Sequence, residues 1–162
     1  MKQVEIISTL HKKSFLLLVL LVILDQLSKQ LLISTINSSG QEVEILPFFK
    51  LISAWNYGIS FGLFSEYQTY SNMAFLIINT SIIFYLFCCY VCTSSKYVII
   101  SLAIIIAGAI GNLIDRIFRG AVFDFLYFYY ESYSFPAFNI ADMCISVGVF
   151  MYIYYVIYED TK

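Results

Sequence analysis

Charge is what this chain has least of: 12% of its 162 residues are Asp, Glu, Lys or Arg. That is about half the fraction usual in a soluble domain. With 60% of residues apolar, the polar surface is too small to cover a folded core in water. The composition therefore excludes an ordinary soluble globule and indicates a membrane protein. The net charge of −2 is small and scattered, which speaks against nucleic acid or an acidic substrate as partner. Histidine occurs once, at His11. No Ser or Cys thus has a His available as base, and a nucleophilic triad is excluded. No cluster of His, Cys and Glu offers metal-ligand spacing, so no metal and no cofactor is expected. Cys88, Cys89, Cys92 and Cys144 all lie in apolar runs. Cys89 and Cys92 form a C-x-x-C without a second pair, and all four read as soft apolar packing. A cleavable signal pattern is also missing, because the apolar run after Lys12 and Lys13 continues too far and lacks a small-residue cleavage site.

What is present is length in apolar runs. A spanning helix needs about 20 mostly apolar residues. Four stretches meet this, at about 14–34, 70–92, 97–118 and 138–158, with only TSSK between the second and third. The expected fold is an all-α membrane protein, a single integral domain over 1–162. With the N-terminus inside, the inner segments hold Lys2, Lys12, Lys13, Lys96 and Lys162, against Lys50 and Arg119 outside. The positive-inside rule thus puts both termini in the cytoplasm. The outer connection at about 41–66 contains ILPFFKLISAWNYGISFGLF, whose β-branched and aromatic residues predict short strands. The other, at about 119–137, contains AVFDFLYFYYESYSF, in which eight of fifteen residues are aromatic. Rings at this density belong at the headgroup level, yet an aromatic belt does not explain Asp124 among them.

Ionisable groups inside a span cost at least about 2.5–3.5 kcal/mol near the bilayer centre, so they need partners or a task. Asp25 stands deep in the first span, and Lys29 follows at i,i+4, the favourable order for a helical ion pair. The third span ends in AGAIGNLIDRIFRG, where Gly108, Asn112 and Asp115 share a face that Arg116 borders. Small residues there allow close helix approach, but they do not account for the Asn, Asp and Arg. The fourth span opens with Asn139 and Asp142 at i,i+3, with Asn139 also a candidate cap. Asn56, Asn112, Asp115, Arg116, Asp124, Asn139 and Asp142 all come out at the outer leaflet, although the topology was assigned from other residues. Two aspartates at a membrane boundary remain the plausible catalytic pair. Two nearby carboxylates do not both ionise readily, so one keeps a proton. The ionised one can take a proton from water while the other donates to a peptide carbonyl.

The blocks DQLSK at 25–29, WNYGISFGLF at 55–64, GAIGNLIDR at 108–116, VFDF at 122–125 and FNIAD at 138–142 occur in an order that resembles the lipoprotein signal peptidases, signal peptidase II. The resemblance covers nearly the whole chain. It implies an aspartyl endopeptidase that removes signal peptides from diacylglyceryl-modified prolipoproteins, cutting before the lipidated cysteine. It implies Asp124 and Asp142 as catalytic, and Asn56, Gly108, Asn112, Arg116 and Asn139 as substrate- and inhibitor-binding, with Arg116 on peptide carbonyls. Asp25 and Lys29 would be supporting, and Asp115 would position Arg116. It further implies four transmembrane helices with an extracytoplasmic β-cradle, a short interfacial lid helix over the site, inhibition by globomycin, contact with membrane lipids, and a place in the bacterial cytoplasmic membrane. Ile59 and Ser60 depart from the family's small residues after Gly58. A small proton-coupled carrier would also keep intramembrane aspartates, but as a relay through the membrane's thickness. A non-catalytic lipid-binding assembly would explain the aromatics but not two isolated aspartates. A presenilin-type protease would place glycine before a catalytic aspartate, where this chain has Phe123 and Ala141.

Overall fold

The computed structural model describes residues 2–37, 42–58 and 68–158. Helix α1 spans Lys2–Leu32 and closes in a π-helical turn, Ile33–Asn37. Strands β1 (Val43–Leu46) and β2 (Phe49–Asn56) follow, then α2 (Gln68–Cys92) and α3 (Lys96–Arg119). Strands β3 (Val122–Tyr130) and β4 (Tyr133–Ser134) lead into α4 (Ile140–Tyr158). Among the described residues, four helices are long and apolar enough to cross a membrane: Val4–Ile36, Met73–Cys92, Lys96–Arg119 and Ile140–Tyr158. A helix satisfies its backbone polar groups internally, which hydrocarbon demands.

The central helix is α3, which packs against α1, α2 and α4. Its Ile99, Leu102, Ala103, Ile106 and Ala107 form the apolar core with Leu18 and Tyr90, whereas much of the other helices' apolar surface faces outward. Such inside-out exposure is what lipid as solvent permits. At the α3–α4 crossing, a Cβ on Gly108 would lie 2.3 Å from the carbonyl oxygen of Ala141, so only glycine allows this approach. The expected pocket residue Gly108 is in this structure a buried packing contact.

The sheet runs β1-β2-β3-β4, with β2 antiparallel to β3 in the register Ala54↔Asp124 and Asn56↔Val122. The expected cradle is present in β1 and β2, while its remainder at 59–66, including Ile59 and Ser60, lies outside the described residues. The segment expected as a lid helix is instead β3 and β4, joined by a turn at Glu131 with φ 51°. The run VFDFLYFYY is built from the residues that favour a pleated, half-buried surface, and pairing with β2 outweighs any helical tendency. Phe138, just before α4, completes β3's other edge: its N–H donates to Leu126 O at 3.0 Å, and its carbonyl accepts from Phe125 and Leu126. Ring stacking of Phe128 on Phe138 supports this join. The start of α4 is thereby tied to the middle of β3.

Candidate active site

That tie sets Asp124, on β3, beside Asp142, in the first turn of α4. Asn139 links the two. Its Oδ1 accepts the Asp142 N–H at 3.0 Å, while Asp142 Oδ2 accepts the Asn139 N–H at 3.2 Å. This reciprocal pair is a capping box. The same Asn139 donates from Nδ2 to Asp124 Oδ1 at 2.6 Å and to Asn112 Oδ1 at 3.2 Å. Cap and site, alternatives in the sequence, are one residue. Asp124 Oδ2 accepts from Asn56 Nδ2 at 3.1 Å, and Asn56 is itself oriented by the Gly58 N–H on its Oδ1. Asp142 Oδ1 accepts from Asn112 Nδ2 at 2.8 Å. Each aspartate thus receives two N–H donors.

Asp124 is 3% exposed. Burial first, and the neighbouring Asp142 second, push its carboxyl up to about 6, against the hydrogen bonds from Asn56 and Asn139. Both aspartates line one groove of about 540 Å³ that continues over Met143, Val147 and Phe150 of α4. One end is acidic and the other apolar.

Beneath the aspartates lies a buried ionic network. Lys29 Nζ stands 2.9 Å from Asp25 Oδ2 and 2.9 Å from Asp115 Oδ2, with all three side chains at most 1% exposed. Asp25 Oδ1 accepts the Ala141 N–H at 2.9 Å, and Gly111 leaves the space that Asp25 occupies. Asp25, expected near mid-membrane, therefore stands level with the first turn of α4. Asp115 also departs from expectation, since it pairs with Arg119 and accepts from Phe123 N–H and Gln26, not from Arg116. Residues at i,i+4 share a helix face, whereas adjacent ones diverge.

Gln26 and Arg119 were not singled out in the sequence. Gln26 spans Gly111 O, Asp25, Asp115 and Arg119. The i,i+4 spacing of Asp115 and Arg119 was the available signal. Arg116 stacks its guanidinium over Phe75 at 5.6 Å and donates weakly to Asn112 O at 3.4 Å. Its buried Nε has no hydrogen-bond partner among the described residues. The cysteines are free, with Cys144 buried and Cys88 and Cys92 exposed on α2.

The model of one family, signal peptidase (SPase) II, matches residues 17–158. The chain belongs to the signal peptidase II family. Among its relatives, the lipoprotein signal peptidase of Rickettsia bellii (strain OSU 85-389) is 49% identical over 140 residues, covering 85% of this chain and 70% of that one. That of Rickettsia akari (strain Hartford) is 45% identical over 151 residues, covering 93% and 76%. A bacterial membrane enzyme solved at 1.9 Å is 31% identical with a TM-score of 0.79, covering 91% of this chain and 94% of that one. Membership in a signal peptidase family makes this chain a peptidase and leaves the proton-coupled carrier without support.

Proposed function

We propose that this signal peptidase II works as an aspartyl endopeptidase on diacylglyceryl-modified prolipoproteins, with Asp124 and Asp142 as its catalytic pair. The observation that carries this reading is the shared groove: two carboxylates at its head, and an apolar wall along α4 leading away from them. A peptide carrying a lipid on the residue after the cut presents a polar bond beside an apolar chain, and the groove matches both.

The dyad holds one proton. The ionised carboxylate takes a proton from water, whose oxygen attacks the carbonyl carbon of the residue before the lipidated cysteine. The protonated carboxyl donates to the carbonyl oxygen. As the tetrahedral intermediate collapses, the carboxyl that took the water's proton gives it to the leaving cysteine nitrogen, a hydroxyl of the intermediate returns its proton to the other carboxylate, and the dyad again holds one proton. A carboxyl raised to about 6 is suited to hold a proton and give it up. Asn56, Asn112 and Asn139 keep the two side chains aimed. The Nε of Arg116, without a partner among the described residues, is suited to a peptide carbonyl, which the planar guanidinium would share with its other N–H groups.

In this reading the protein sits in the bacterial cytoplasmic membrane with both termini inside and the groove at the outer leaflet. Exposed Phe128, Tyr130, Tyr133 and Phe135 of the β3–β4 hairpin would meet lipid headgroups there. Globomycin would compete with substrate. The test is incubation of purified protein with a prolipoprotein, with and without its diacylglyceryl group. Cleavage of the modified form only, blocked by globomycin, is expected. Equal cleavage of both forms, or none of either, overturns the reading.

A further inference from the structure

We propose that Lys29 is a positioning residue for the dyad: through the amide of Asn112 it keeps a hydrogen-bond donor aimed at Asp142. The inference rests on the aspartyl reading above. Three asparagine amides serve the two aspartates, and each must face them with the correct end. Asn56 is oriented by the backbone N–H of Gly58, and Asn139 by the backbone N–H of Asp142. Asn112 has no such backbone donor among the described residues. Its Oδ1 faces Lys29 Nζ at 3.2 Å and Asn139 Nδ2 at 3.2 Å, which leaves Nδ2 toward Asp142 at 2.8 Å.

An ammonium has three donors and no acceptor. Lys29 gives one to Asp25, one to Asp115 and the third to Asn112. A flipped Asn112 would set NH₂ against the ammonium and a carbonyl oxygen against Asp142, losing both contacts. The fully buried lysine therefore forbids the flip. Charge balance alone does not require this third contact. Asp25 comes from α1, and Asp115 from α3 is shared with Arg119. The charged groups around the dyad are Lys29 from α1, Asp115 and Arg116 from α3, Asp124 from β3 and Asp142 from α4, and the Lys29 charge itself favours the ionised Asp124.

If Lys29 acts on the dyad only through its charge, its loss raises the titration of Asp124 equally with Asn112 present or absent. If it aims Asn112, its loss also removes a donor from the dyad, and a carboxylate that loses a donated hydrogen bond keeps its proton to higher pH. Turnover of lipidated prolipoprotein should be measured against pH for wild type, Asp25→Asn, Lys29→Met and Lys29→Met/Asp25→Asn, each also in an Asn112→Ala background, with thermal melting in detergent alongside. The double variant removes one buried charge of each sign, so it remains informative where Lys29→Met alone fails to fold.

Both Lys29 variants should lose about tenfold in kcat, with the pH profile displaced upward by about one unit, the order of one hydrogen bond to a charged group. Asp25→Asn should melt lower with its profile in place. The displacement should shrink in the Asn112→Ala background; a displacement equally large there, or a double variant whose profile superimposes on that of Asp25→Asn, overturns the positioning role. Undiminished turnover in Asp124→Asn would instead overturn the aspartyl reading, which separates the two failures.

Discussion

Asp25 Oδ1 accepts the backbone N–H of Ala141 at 2.9 Å, so a side chain of α1 holds the start of α4. The other oxygen of Asp25 meets Lys29 at 2.9 Å. Asp25→Asn keeps an oxygen for Ala141 but breaks the ion pair. Removing one partner from a buried pair typically costs about 3–5 kcal/mol, because it leaves the other charge uncompensated. Here Asp115 still faces Lys29 and softens that cost. The expected outcome is a clear drop in melting temperature in detergent with turnover per folded molecule reduced less than about tenfold. Loss of turnover in stable Asp25→Asn protein would move Asp25 into the chemistry.

The pH dependence of stability follows from Asp124. Burial and Asp142 raise its carboxyl from 3.8 to about 6. The folded state then binds more protons than the unfolded state between those values, so stability falls as pH rises through them. The full difference is on the order of 3 kcal/mol. Asparagine at this position does not titrate. The melting temperature of wild type relative to Asp124→Asn should therefore decline between pH 4 and pH 7, and parallel melting curves across that range would contradict the raised carboxyl.

Gly108 separates packing from binding. A Cβ there would meet the Ala141 carbonyl oxygen at 2.3 Å and Ile145 Cγ1 at 2.8 Å. Backbone has little room to yield, so Gly108→Ala must push α3 from α4 at the turn that carries Asp142. Overpacking of this kind costs about 1–3 kcal/mol. Melting temperature and kcat should fall together. A raised KM with unchanged melting would return Gly108 to the substrate pocket.

Much of this was legible before any coordinates. Apolar runs located α2, α3 and α4 to within a few residues, because lipid enforces length and composition together. The start of α1 was not legible, since Glu5, His11, Lys12 and Lys13 interrupt its hydropathy while the helix continues through them. The strand character of 122–130 was masked by its aromatic density, which fits an interfacial segment as well as a β-ladder. Asp124, Asp142 and their asparagines stood out because each was polar where lipid disfavours it. Which residues pair was not legible, since Asp25 meets Ala141, and Asn56 meets Asp124, across long stretches of chain that only folding closes.

Arg116 should matter to binding more than to folding. Its guanidinium lies over Phe75, and its Nε has no partner among the described residues. Arg116→Lys keeps the charge but loses the planar fork. KM for the lipidated substrate and the inhibitory constant of globomycin should each rise about tenfold, the worth of roughly 1.4 kcal/mol, with melting nearly unchanged. Unaltered values for both would remove Arg116 from the substrate's path.

The dyad itself makes the sharpest prediction. Asp124→Asn and Asp142→Asn preserve size and leave an oxygen for the Asn139 contacts, yet neither amide can exchange the proton that water activation requires. Each should lower kcat by at least about a hundredfold, the low end for general acid–base groups. Each should still bind lipidated prolipoprotein, because the apolar wall along α4 is untouched. The losses should not multiply in the double variant, since two groups sharing one proton act as a unit and either absence already disables it. A single-turnover cleavage assay, paired with a binding measurement on the same preparations, distinguishes the possibilities. Near wild-type cleavage by either variant, or a double variant whose loss is the product of the single ones, would mean that Asp124 and Asp142 do not share the reaction.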